Sequence, residues 1–310
     1  MLLTALAGFF AELVDGGLGM GFGVTSTTLL ITLAAMTPAA ASAVVHTAEL
    51  GTTAVSGLSH WKFGNVDWKV VAKVGIPGAI GAFAGATLLS NISTKSARPA
   101  MALILTLIGF NLIWRFSRGK VRRHDGPASH STAFLGGLGL LGGFVDATGG
   151  GGWGPVTTST LLTAGRIEPR KVVGTVNTAE FFVTSAAVVG FAIGLWGDLV
   201  SNLASVIALL IGGSIAAAIG AWLVSKLNPT LLGGFVGTLI LALNLPAVLK
   251  GLPTDFVWAI TAAVIVLGLL LSVRGLKLST ASAASAPVVV KQEPVGQDSQ
   301  VREPAAASVD

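Results

Sequence analysis

Apolar residues run along this chain in long blocks separated by short polar loops, at roughly 1–36, 40–60, 70–90, 98–115, 132–164, 170–195, 199–225, 230–249 and 256–273. None of the blocks alternates apolar with polar residues in the manner of a strand, so each predicts helix. They are too many for one buried core, which predicts a polytopic α-helical membrane protein. Two blocks have the wrong length for a single crossing. Residues 1–36 as one helix would reach about 54 Å, against a hydrocarbon core of about 30 Å. Cut at the glycines, the legs 1–14 and 24–36 are each about 20 Å and too short to cross. Two short legs and a Gly-rich tip predict a re-entrant or broken helical hairpin, whose irregular backbone needs protein or a wet cavity around it.

The pattern also repeats. Val14-Asp15 is matched by Val145-Asp146, VTSTTLL (24–30) by VTTSTLL (156–162) with Pro155 inserted, and Pro38 by Pro169. HTAEL (46–50) is matched by NTAEF (177–181), which sets Glu49 opposite Glu180 and His46 opposite Asn177. Shared hydrophobicity does not align an aspartate, a glycine run, a hydroxyl run and Thr-Ala-Glu in one order at nearly one offset.

Charge then decides the topology. If blocks one and five are hairpins, one side of the membrane holds Lys62, Lys69, Lys73, Arg115, Arg118, Lys120, Arg122, Arg123, Arg166, Arg170, Lys171, Lys226, Arg274 and Lys277. The other side keeps only Lys95, Arg98 and Lys250. With nine plain crossings the cations divide almost evenly, so the positive-inside rule favours the hairpins. Each repeat is then one hairpin plus three transmembrane helices. Three is odd, so the second repeat is inverted relative to the first, the plan of secondary transporters with sites at the midplane. The resulting division is a first repeat at 1–114, a basic cytoplasmic linker at 115–131, a second repeat at 132–250, one extra C-terminal span at 251–277 and a disordered tail at 278–310. The tail is rich in Ala, Ser, Pro and Val and has little to bury.

Composition supports the class and removes several chemistries. The 310 residues are 52% hydrophobic and 11% charged, where a soluble domain carries about 25% charged residues. There is no cysteine, which excludes disulfides, iron–sulfur clusters and thiolate metal sites. The start MLLTALAGFF lacks a basic n-region and reads as mature protein, not a signal peptide. The net charge of +5 is spread over short loops, so it reflects topology and not nucleic acid. No metal or cofactor is expected.

The tips carry the candidate chemistry. Gly17, Gly19 and Gly21 in the first, with Gly150, Gly151 and Gly152 in the second, let a ligand approach main-chain N–H groups. The half-helices that follow start at Thr25, Ser26 and Thr27, and at Thr157, Thr158 and Ser159. Helix N-termini offer unsatisfied donors and about half a positive charge, and the hydroxyls add donors without fixed charge. That suits an anion that must leave again. The alternative is that the glycines serve helix packing and the hydroxyls bond between helices. His46 and Asn177, both donors, are candidates to line the substrate path, and Trp153 to wall the cavity. Asp15, Glu49, Asp146 and Glu180 are carboxylates in membrane segments and therefore functional candidates, for tip architecture or for proton coupling. Glu12 is a fifth, without a repeat partner.

The ordered pair of Val-Asp, Gly-rich run, Thr/Ser run and Thr-Ala-Glu resembles the sulfite exporter TauE/SafE family of membrane permeases, over about residues 5–275. The resemblance implies a transporter that exports sulfite or an organosulfonate across a bacterial inner membrane as a multi-pass protein. Its expected partners are a small anionic substrate and the bilayer, with homo-oligomerisation left open. The expected mechanism is alternating access between the two tips, with an anion channel of the same architecture as the alternative. An intramembrane aspartyl-type enzyme fits poorly, because each aspartate precedes its own tip and no HExxH or GxSxG motif is present. No enzymatic activity is expected.

Overall fold

The computed structural model describes residues 1–18, 21–118, 130–164, 166–167, 169–224 and 229–284. Every regular element among them is helical. The first apolar block is two helices, α1 (Leu2–Leu18) and α2 (Phe22–Thr32). Long helices follow at α3 (Pro38–Lys62), α4 (Trp68–Asn91) and α5 (Thr94–Phe116). The second half begins with α6 (Thr132–Gly149), a π-helical turn at Gly154–Thr158 and α7 (Ser159–Ala164). It continues through α8 (Pro169–Ser201), α9 (Leu203–Val224), α10 (Pro229–Val248) and α11 (Thr254–Ala284).

Local chemistry sets many of the boundaries. The Asp67 carboxylate accepts from the backbone N–H groups of Lys69 (3.0 Å) and Val70 (3.2 Å), capping α4. Ser93 and Ser131 cap α5 and α6 in the same way, accepting from Ser96 and Phe134. These are the donors that a helix start leaves unpaired. α3, α8 and α10 each open on a proline, which needs no N–H there. α8 leaves helical geometry at Leu195 (φ −135°, ψ 32°), where the expected segment 170–195 ends.

Among the described residues, Trp68–Asn91, Thr94–Phe116, Lys171–Ser201 and Thr254–Ala281 are long and apolar enough to cross a bilayer. α3, α9 and α10 contain 25, 22 and 20 residues, which at about 1.5 Å per residue matches a core about 30 Å thick. Leu203, Ile207, Ile211 and Ile215 form an exposed apolar stripe along α9, and Leu103, Leu107, Phe110 and Trp114 another along α5. Water would penalise such surfaces, and lipid does not. α11 runs on to Ala284, past the 277 expected for the last span. Most of the basic linker and the tail from 285 onward lie outside the described residues.

The packing crosses between the halves. α1 lies along α9, α6 along α4, α3 against α8 and α5 against α10, with α11 added on α10. Each hairpin's first leg therefore rests on a long helix of the other half. Glycine permits the contact: a Cβ on Gly212 of α9 would run into the Ala5 carbonyl, and one on Gly143 of α6 into the Gly78 carbonyl. Gly212→Val is expected to destabilise the protein by about 1–3 kcal/mol, the usual cost of overpacking. Its melting temperature in detergent should fall clearly, whereas that of Gly137→Ala, which has open space around it, should not.

Candidate functional site

Both hairpins break where glycine takes a positive φ: at Gly21 (125°) in the first, and at Gly150 (70°) and Gly151 (123°) in the second. The breaks come later than the glycine runs suggest. α1 continues to Leu18, so Gly17 is helical and not part of a tip. Gly19 lies outside the described residues. Across each break one carboxylate bridges seven residues. Asp15 Oδ1 accepts from the Phe22 N–H (3.3 Å), and Asp146 Oδ1 accepts from the Trp153 N–H (2.9 Å). Each aspartate thus ties the end of one half-helix to the start of the next.

The tips meet. Gly23 and Gly151 are in backbone contact, with no room for a Cβ on either. The Thr27 hydroxyl donates to the Gly150 carbonyl, and the Ser42 hydroxyl donates to the Ala147 carbonyl (2.8 Å). Pro155, the residue without a counterpart in the first half, sits in the π-helical turn. A π-turn absorbs one extra residue, so the hydroxyl run beyond it resumes in step with the first half.

The hydroxyls fall into two groups. Thr27 and Ser159, a matched pair, both donate to carbonyls, of Gly150 and Pro155. Two further matched pairs, Thr25 with Thr157 and Ser26 with Thr158, are all buried and have no hydrogen-bond partner among the described residues. Thr47 and Thr160 show the usual resolution, donating back one turn to Ala43 and Val156. Buried polar groups are rarely left unpaired, and four in symmetric positions require an explanation.

His46 is fully buried. Its Nδ1 lies 2.8 Å from the Ser42 carbonyl, and its Nε2 3.1 Å from Asp146 Oδ2. A carbonyl only accepts, so Nδ1 carries a hydrogen and a second proton is shared between Nε2 and Oδ2. Asp146 is thereby compensated. Asn177, at the matching position, donates instead to the Ser56 hydroxyl (3.2 Å). Neither His46 nor Asn177 lines the cleft between the tips. Trp153, proposed as a wall, is fully buried behind the second tip. It packs on Gly78 and Gly142, and its Nε1–H donates to Val176 (3.1 Å).

The cleft itself has a volume of about 30 Å³, room for about two water molecules. Backbone of Gly21, Gly23 and Gly151 lines it, with Asp15, Glu49 and Glu180 supplying the charge and Thr52 and Thr53 extending the wall. Gly150, Gly152 and the four unpaired hydroxyls are not part of this lining. The two threonines were missed from sequence, although they follow Glu49 by one helical turn and so share its face.

A family model described as "Sulfite exporter TauE/SafE" matches residues 4–247. The chain is 47% identical over 248 residues to the "Probable membrane transporter protein YtnM" of Bacillus subtilis (strain 168), covering 79% of this chain and 81% of the relative. No solved structure matches.

Proposed function

The chain belongs to the sulfite exporter TauE/SafE family, and from that premise we propose that it exports a small sulfur-containing anion, sulfite or an organosulfonate, by alternating access. The four buried hydroxyls without partners, Thr25, Ser26, Thr157 and Thr158, carry this reading. They stand in the first turns of two half-helices that point their N-termini at one place, where donors are unpaired and the helix dipole is positive. The two halves form an inverted repeat, a reading supported by the matched Asp15–Phe22 and Asp146–Trp153 bonds and by the reciprocal packing of α1 on α9 and α6 on α4. With the tips closed, the space between them is too small for an oxyanion. Rocking one half against the other parts the tips and turns the hydroxyls toward the anion. Outward movement of a dianion gains about 4.6 kcal/mol at 100 mV, inside negative. On this reading the protein works in a bacterial inner membrane.

The test is sulfite efflux from proteoliposomes. Hydrogen bonds to a charged group contribute about 1.5–3 kcal/mol each. Ser26→Ala with Thr158→Ala should therefore raise the half-saturating sulfite concentration at least tenfold. Thr160→Ala, which removes a hydroxyl already bonded within its helix, should leave it within about twofold. Equal behaviour of the two variants would sink the hydroxyl site. Saturation at low turnover is expected of a carrier, and ohmic single-channel current would point to the channel instead.

A further inference from the structure

The charged lining of the cleft consists of carboxylates: Asp15, Glu49 and Glu180. For an anion this is a hostile wall. Glu49 is the most isolated of them, at 4% exposure. Its Oε1 faces Gly23, so closely that a Cβ there would lie 2.8 Å away. Its Oε2 is buried with no partner among the described residues. A carboxylate oxygen left bare beside a small polar cavity lacks a hydrogen or a hydrogen-bond donor.

Among the described residues, the groups facing Glu49 do not include a free cation. Glu12 and Asp15 act on it from α1, Asp146 from α6 and Glu180 from α8, and all are acidic. His46, one turn earlier on α3, is occupied by Asp146 and Ser42. α2 and α9, which also pack on α3, contain no titratable residue. No lysine or arginine of α4 or α5 is among the charges acting on it. The asymmetry between the halves explains the deficit. His46 compensates Asp146, but Asn177 at the matching position cannot compensate a second carboxylate.

We infer that Glu49, with Asp15 and Glu180 around it, is a proton-binding site of the transport cycle, and that a proton crosses the membrane together with the anion. The inference rests on the anion-transport reading above. Glu49 takes a proton from the side on which the anion enters, which removes one negative charge from the wall. It releases that proton to the side on which the anion leaves. The anion keeps its own charge, so the complex that moves carries one negative charge fewer than the anion alone. A dianion would still leave down the membrane potential.

Thiosulfate is the probe, because it stays fully ionised near neutral pH and any accompanying proton must ride on the protein. Wild-type protein in proteoliposomes with a trapped pH dye should move protons in the same direction as thiosulfate. Its half-saturating thiosulfate concentration should rise about tenfold per pH unit above the titration of Glu49, as linkage of one proton requires. E49Q should lose both the proton movement and the pH dependence, and E180Q serves if E49Q does not fold. Thiosulfate flux with no proton movement and a flat pH profile overturns the inference while leaving the anion site standing. So does proton movement that survives in a folded E49Q. If only sulfite moves, wild type and E49Q are compared with sulfite, whose own protonation is common to both. No flux of either anion sinks both readings.

Discussion

Asp146→Ala is expected to destabilise the protein by about 3–5 kcal/mol, the cost of removing one partner from a buried ion pair. The carboxylate does two jobs at once. Oδ1 accepts the Trp153 N–H at the start of the second half-helix, and Oδ2 shares a proton with His46 across the interface between the halves. Alanine leaves both donors buried without an acceptor. Asparagine should be far milder, within about 1.5 kcal/mol. Its Oδ1 can keep the Trp153 bond while its amide donates to the bare Nε2 of a neutral His46. Denaturant unfolding in detergent checks the order. The double variant H46A/D146A should lose less than the sum of the single variants, since the two residues share one interaction. Equal losses for alanine and asparagine would show that the proton-sharing pair does not exist.

Gly151→Ala should have the largest effect on transport. Gly151 holds φ at 123°, a conformation that costs a residue with a side chain about 1–3 kcal/mol. Its added methyl would also fall on the Gly23 backbone. The tips could then no longer close, and sulfite efflux should drop to the level of empty liposomes. Gly23→Ala should behave alike, because its methyl meets Gly151 and Glu49 Oε1. Wild-type efflux from a folded Gly151→Ala protein would mean that tip contact is not part of the cycle.

Block length and the recurring motifs made the break in each Gly-rich apolar block legible. The point of breakage was not. Gly16 and Gly17 look like a tip in sequence yet are helical, since membrane helices tolerate glycine and composition does not reveal which residue takes a positive φ. Pro155 was visible as an unmatched residue, but its accommodation in a π-turn depends on the surrounding packing. The bond between His46 and Asp146 joins residues 100 positions apart, and no local pattern announces such a partner. For the same reason the lining of the cleft was not legible. The hydroxyls and His46 seemed its natural lining, whereas tertiary packing turned Glu49, Thr52 and Thr53 toward it.

The reciprocal seating of α1 on α9 and α6 on α4 has a consequence for biogenesis. The N-terminal leg leaves the ribosome first, yet its neighbour α9 is made only after α2 through α8. At about 5–20 residues per second, the nascent leg waits on the order of ten seconds or more before its seat exists. During that interval Asp15 and Glu12 sit on an orphan segment, held by the insertion machinery or exposed to quality-control proteases, so assembly of the N-terminus must be among the last events of synthesis.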